Sequence, residues 1–283
     1  MGDSASVDSE GILYISTGDE FIEESIRSVE MLRRSMPEAN VTLLCDKQIS
    51  NELFDRIIRI DDPAYGFEDQ ILNLEKSPYD RTIYLDSDTY ITDSIEELFQ
   101  LLDSFDIGLA QTATREAWEV SGVPDCFPEY NSGVMVYKNN DNFEDFLSLW
   151  NSIYFGNKNT DRTMRNQPSL RKALYKSDLR LATIPPEYNC RINYPGQVSG
   201  KVKIFHARLQ SVDGPGADNY FDIENAAEKI NKTEDPRVFT QLGGISVYTN
   251  KTDSLFHRAR LSYRMHGLKH VFKEGFKILF RIK

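Results

Sequence analysis

Along the chain, short apolar runs alternate with longer stretches in which apolar residues return every three or four positions. Residues 11–17 (GILYIST) form a brief apolar run rich in β-formers and stopped by Gly18, which predicts a buried strand. Ile22, Ile26, Val29 and Leu32 then recur at helical spacing, predicting a helix over 21–36 with Asp19 as its cap and Pro37 beyond its end. Further buried strands are expected at 41–46 (VTLLCD), 57–60 (IIRI) and 81–85 (RTIYL). A helix is expected at 94–105 with Ser94 as cap and Glu97 at its third position, followed by strands at 106–111 (DIGLAQ) and 131–139 (NSGVMVYKN). Periodicity predicts helices at 143–155 and 167–175, and after Pro185-Pro186 a strand at 201–205 (KVKIF). Apolar strands alternating with helices imply an α/β sandwich whose central sheet is mixed but mainly parallel.

From about Gln210 the pattern loosens into a Gly, Pro, Asn and Asp-rich stretch. The expected organisation is a disordered start over 1–10, one α/β domain over 11–210, an irregular extension over 211–256 and a helical tail over 257–283. The 283 residues carry 33 Lys and Arg against 44 Asp and Glu, a formal charge of −11, which argues against affinity for nucleic acid backbones. That charge is unevenly spread. Between His257 and Lys283 stand eight Lys and Arg against one acid, Glu274, with Lys269, Lys273, Lys277 and Arg281 on one helical stripe and Leu268, Val271, Phe272, Phe276, Leu279 and Phe280 on another. Such a basic amphipathic helix suits either a membrane surface or the acidic body of its own chain. Cys45, Cys126 and Cys190 form no CxxC pair, no secretory signal opens the chain, and no apolar run is long enough to span a bilayer. The expectation is a cytoplasmic protein, peripheral at the inner face of the membrane if the tail binds there.

The sharpest chemical feature is RTIYLDSDTYI, where a buried strand delivers Asp86 and Asp88 just as it ends. Side chains two apart in an extended segment point the same way, and open α/β sheets gather ligands at the carboxyl ends of their strands. Two carboxylates can share a hard cation such as Mg²⁺ or Mn²⁺ that keeps positions open for phosphate oxygens. An EF-hand beginning at Asp86 fails because its sixth position is Ile91 rather than Gly. A phosphohydrolase with an aspartyl nucleophile is weakened by Tyr90 at the fourth position after Asp86, and a nucleotidyltransferase by STGDEF in place of a glycine-rich basic loop.

The acidic pair is followed by NSGVMVYKN, RNQPSLRKAL (165–174), IPPEYNC (184–190) and KVKIFHARL (201–209). In this order the chain resembles the GT-A glycosyltransferases and is most similar to a divergent relative of family 8, the glycogenin and galactosyltransferase type. The resemblance implies a Rossmann-like α/β/α sandwich and transfer of a sugar from a nucleotide-diphosphate donor to a glycan or lipid-linked acceptor. It implies that Asp86 and Asp88, the DXD pair, hold Mn²⁺ or Mg²⁺ with His206 as third ligand. His206 is also the only histidine before residue 257. Asn131, Ser132 and Gly133 match the family's signature at the sugar pocket, with Gly133 admitting close approach. Asn166 and Gln167 stand where the family often has Asp-Gln near the anomeric carbon. An uncharged pair cannot form a glycosyl ester, so retention would proceed by attack from the leaving-group side, while inversion by another base stays open. Thr17 is placed like the residue that meets the nucleotide, with Asp46 a poorer candidate. The basic segment after the family's histidine is replaced by ARLQSVDG, and the cation facing the diphosphate stays unassigned. Asn166 also keeps open a catalytically idle sugar-nucleotide binder.

Overall fold

The computed structural model describes residues 8–112, 120–158, 165–208, 223–239 and 245–247. Strand β1 (Asp8–Ser16) leads into helix α1 (Asp19–Ser35), followed by β2 (Val41–Cys45), β3 (Arg56–Arg59), α2 (Phe67–Asn73) and β4 (Tyr79–Leu85). After a tight turn come β5 (Thr89–Ile91), α3 (Glu97–Leu101), β6 (Ile107–Gln111), β7 (Tyr130–Lys138), α4 (Asp141–Lys158) and α5 (Gln167–Lys176). The remaining elements are β8 (Leu181–Ile184), β9 (Cys190–Arg191), β10 (Gly196–Val198), β11 (Ile204–His206), α6 (Ile223–Ile230), β12 (Arg237–Phe239) and β13 (Ile245–Val247).

The main sheet has seven strands in the order β3-β2-β1-β4-β7-β6-β8. β7 is antiparallel to both β4 and β6, and every other pairing is parallel. Alternation along the strands sends Ile12 and Tyr14 to one face, against Val29 and Leu32 of α1 and Leu98 of α3. Leu13 and Tyr84 go to the other face, against Ile71 of α2, Phe143 and Trp150 of α4 and Leu170 of α5. Helices cover both faces, as a largely parallel sheet requires. Trp150 is fully buried and its Nε1 donates to Ser169 Oγ at 3.0 Å, so α4 clamps the first turn of α5, where Gln167 sits. Truncating Trp150 to alanine should cost about 3–5 kcal/mol of stability, read as the shift in a denaturant midpoint at constant slope.

Two smaller sheets, β5-β11-β9 and β10-β12-β13, lie beside the main one. Phe205, Val202, Val198, Phe239 and Ile230 make a third core beneath them. Because β7 runs against its neighbours, its first residues lie at the edge where β1, β2 and β4 end.

Several boundaries differ from the sequence expectation. β1 begins at Asp8, inside the start expected to be disordered, because Asp8 and Glu10 pair with Tyr79 and Arg81 of a longer β4. Asp19 is the first helical residue rather than the cap, a place taken by Gly18 with no side-chain cap bond. β3 starts one residue early and is half-exposed, as an edge strand can be. The helix expected over 94–105 is reduced to five residues, because Leu102, Asp103 and Ser104 bond three residues back rather than four and Ser94 lies outside it. β11 covers 204–206 only. The stretch expected to be irregular carries α6, β12 and β13. The tail at 257–283 lies outside the described residues. No helix among the described residues is long and apolar enough to cross a membrane.

Candidate metal and donor site

Asp86 follows the last residue of β4, and its backbone N–H donates to the Gly133 carbonyl of β7 at 2.8 Å. The chain then turns: the Thr89 backbone N–H and hydroxyl both donate to the Asp86 carbonyl, at 3.3 and 2.8 Å. Thr89 Oγ1 lies 2.9 Å from Ser28 Oγ, which lies 2.9 Å from the Tyr14 hydroxyl, pinning the turn to α1 and β1. β5 emerges from the turn and pairs with β11 so that Thr89 faces His206, while Ala207 N–H donates to the Asp88 carbonyl at 3.1 Å. This register brings a residue more than a hundred positions away onto the acidic pair.

His206 Nε2 lies 3.2 Å from Asp88 Oδ1 and 3.6 Å from Asp86 Oδ2, and one ligand atom from each of the three residues lies within 4.8 Å of the others. The Tyr84 hydroxyl donates to Asp86 Oδ1 at 2.6 Å and fixes that carboxylate. Two carboxylates and an imidazole suit a divalent cation of the Mn²⁺ or Mg²⁺ class. Burial, together with the neighbouring Asp88 charge, pushes the Asp86 carboxyl up despite His206. Burial also works to raise Asp88, but the charges of His206 and Arg208 prevail and hold it at about 2. Burial disfavours charge on His206, yet Asp88 and Asp86 outweigh it and its pKa is raised above the ordinary 6.5. A raised value means that the histidine's charge contributes stability that is complete below 6.5 and lost as pH climbs through the folded value. The melting temperature of the metal-free protein should therefore fall across that window, and a scan in which it rises there would contradict the ion pairing.

Gly133 has no β-carbon for a specific reason: one built there would land on His206 Cε1 and 2.6 Å from Asp86 Oδ2. The close approach this glycine admits is that of the two side chains of the acidic site.

Arg208, two residues beyond His206, was not found from the sequence. Its Nε donates to Glu24 Oε1 at 3.1 Å and its guanidinium lies 4.7 Å from the centre of the Phe21 ring. Glu24 Oε2 also accepts from the Ser87 hydroxyl at 2.7 Å, so one carboxylate of α1 holds both the arginine and the turn between the two aspartates. The available signal was spacing alone, since residues 206 and 208 of an extended segment share a side.

Asn131, Ser132, Asn166 and Gln167 also gather at this edge, and all four are buried. Asn166 Nδ2 donates to Ser132 Oγ at 3.0 Å and to Gln70 Oε1 at 2.6 Å, and Gln70 Nε2 donates to the Ser132 carbonyl at 2.9 Å. Asn131 Nδ2 donates to Gln167 Oε1 at 2.7 Å, and Gln167 Nε2 to Glu129 Oε1 at 2.9 Å. A crevice of about 50 Å³ between Asn131, Asn189, Arg191 and Tyr194 opens beside them. Thr17 sits apart: its hydroxyl donates to the buried Asp69 at 2.6 Å, and Asp69 also accepts the N–H groups of Ala64 and Tyr65. Asp46 accepts from the Gly18 N–H at 2.9 Å and from the Tyr65 hydroxyl at 3.2 Å. Glu129 and Asn189 carried no sequence signal of their own, because isolated polar residues are expected at the surface.

No family model matches the chain, and no curated protein matches it by sequence. Among solved structures, the glycosyltransferase GlyE of Streptococcus pneumoniae TIGR4 is similar at a TM-score of 0.55 and 16% identity, over 77% of this chain and 60% of GlyE. An active-site mutant of LgtC is similar at a TM-score of 0.50 and 13% identity, over 85% of this chain and 98% of that one. The chain thus spans about three fifths of the length of GlyE. At such identities the likeness is one of architecture, and the seven-stranded sheet with helices on both faces gives this chain the GT-A glycosyltransferase fold.

Proposed function

We propose that the chain is a metal-dependent glycosyltransferase that moves a sugar from a nucleotide-diphosphate donor to a glycan or lipid-linked acceptor. The observation that carries this reading is the convergence of Asp86, Asp88 and His206 at the edge where β4 ends and β7 begins. Asp86 and Asp88 offer carboxylate oxygens and His206 offers Nε2. A divalent cation held there, Mn²⁺ or Mg²⁺, would neutralise the negative charge that develops on the departing diphosphate. Tyr84 keeps the Asp86 carboxylate aimed, and Gly133 leaves room for the ligands to meet.

Arg208, steered by Glu24, brings a fixed positive charge to the same place and is our candidate for the cation facing the diphosphate. Arg208→Met should weaken binding of a nucleoside diphosphate by on the order of tenfold while leaving the nucleoside unchanged, as calorimetry would show. Equal losses for both ligands would remove this role. Asn131, Ser132, Asn166 and Gln167 line the sugar side in this reading. The neutral Asn166 and Gln167 cannot form a glycosyl ester, so retention in this reading proceeds by attack from the leaving-group face. Thr17, with its hydroxyl committed to Asp69, would meet the nucleotide through its backbone.

The experiment that tests the reading is a panel of nucleotide-sugars with Mn²⁺. Release of a free nucleoside diphosphate supports transfer. Pyrophosphate would mark a nucleotidyltransferase, phosphate alone a hydrolase, and a melting shift without turnover a binder. We also propose that the basic stripe of 257–283 holds the protein peripherally on an anionic membrane bearing the acceptor. Exchanging Lys269, Lys273, Lys277 and Arg281 for Gln should then abolish co-sedimentation with anionic vesicles.

A further inference from the structure

Between the sugar side and the acidic site runs an unbroken line of four side-chain hydrogen bonds. Gln167 Nε2 donates to Glu129 Oε1 at 2.9 Å, and Asn131 Nδ2 donates to Gln167 Oε1 at 2.7 Å. Asn189 Nδ2 donates to Asn131 Oδ1 at 2.8 Å, and Asn189 Oδ1 lies 2.9 Å from His206 Nδ1. Each amide has one end that only donates and one that only accepts, so the line has a direction.

Two independent groups set that direction. The Gly133 backbone N–H, which can only donate, points at Asn131 Oδ1 at 3.0 Å. At the far end the Glu129 carboxylate receives the Gln167 amide nitrogen. With Asn131 Oδ1 thus fixed as acceptor, Asn189 must turn its nitrogen toward Asn131 and its oxygen toward His206. Asn189 is held in place because it immediately precedes β9, which pairs with β11 through Cys190 and Phe205, and through Arg191 and His206. It is also buried, as is His206, so no bulk water competes for the contact.

We infer that Asn189 is a positioning residue: backed by Asn131, Gln167 and Glu129, it locks His206 as the Nδ1–H tautomer and leaves the Nε2 lone pair to the divalent cation. This rests on the proposed metal reading and deepens it, because the residues of the sugar side and the imidazole of the metal side become one hydrogen-bonded unit. A change at Gln167 or Glu129 should therefore be felt at the ion, although neither residue touches it. Partners that orient a ligating histidine typically govern 10–100-fold in metal affinity.

The test uses the full chain labelled with ¹⁵N-histidine. In the metal-free protein at alkaline pH, where the ring is neutral, the His206 resonances should show the proton on Nδ1; a neutral ring protonated on Nε2 overturns the inference. Manganese titration then gives the second readout. Asn189→Leu should weaken Mn²⁺ binding by about 10–100-fold and lose the Nδ1–H signal. Asn189→Asp keeps an acceptor for that proton and should retain the Nδ1–H signal, although it loses the donor to Asn131 Oδ1. Unchanged affinity and tautomer in Asn189→Leu would contradict the proposal. If this variant does not fold, the tautomer of the parent protein decides alone. Failure of the parent to bind Mn²⁺ would instead sink the metal reading, and the tautomer measurement tells the two failures apart.

Discussion

Asp88→Asn should lower metal-dependent turnover of a nucleotide-sugar by on the order of 10²–10³, the scale on which a fixed electrostatic partner of the transition state acts. The reason lies in the charges already present. Asp88 is the carboxylate that His206 and Arg208 hold ionised at about 2, while Asp86 beside it is pushed up by burial. Of the two, Asp88 is therefore the carboxylate whose ionised form its surroundings favour more strongly. An amide in its place keeps the shape and loses the charge. The fold should survive, because the backbone carbonyl of residue 88 accepts the Ala207 N–H in either form. Donor hydrolysis assayed with and without Mn²⁺, alongside circular dichroism, checks this. Full metal-dependent activity in a folded Asp88→Asn protein would contradict the ligand assignment.

Gly133→Ala is the second large effect, and it separates two readings of the same glycine. If Gly133 served only to let a sugar approach, an added methyl group would impair donor binding and leave the ion untouched. The geometry says otherwise, since the methyl carbon would land on His206 Cε1 and close to Asp86 Oδ2. Gly133 cannot retreat easily, because its carbonyl is bonded to Asp86 N–H and its own N–H to Asn131 Oδ1. The imidazole must therefore swing away. We expect a stability loss of about 1–3 kcal/mol from overpacking and a loss of Mn²⁺ affinity of at least about tenfold. Calorimetric Mn²⁺ titration of the folded variant measures this directly. An affinity equal to that of the parent would show that the ligands can move aside at no cost.

What could be read from the sequence divides along physical lines. The strand ending in Asp86 and Asp88 was legible because an uninterrupted apolar run marks a buried strand, and two carboxylates at its very end mark the place where that strand reaches the ligand-binding edge of the sheet. His206 was legible because it ends another apolar run and few histidines compete for the role. The direction of β7 was not legible, since hydrophobic periodicity is the same for parallel and antiparallel strands. Yet that direction is what brings Asn131 and Gly133 to the edge shared with Asp86. Glu24 and Arg208 were missed because a charged residue in an amphipathic helix or an exposed-looking loop is expected to face water. Only the tertiary structure shows one carboxylate holding an arginine and Ser87 together. The short elements after 211 were hidden because strands of three residues leave too little pattern to recognise. The crowding of Gly133 by His206 and Asp86 was hidden for a related reason: the sequence marks a place where a side chain is not tolerated, but not what occupies the space.

The proposed sugar transfer depends on three side chains acting together on one divalent ion. Electron paramagnetic resonance of Mn²⁺ titrated into the purified chain, with and without a nucleoside diphosphate, addresses this most directly. We predict a single bound Mn²⁺ whose affinity rises when the diphosphate is added and which is lost in both Asp88→Asn and His206→Leu. No bound ion in the parent protein, or an ion that persists unchanged in both variants, would contradict it.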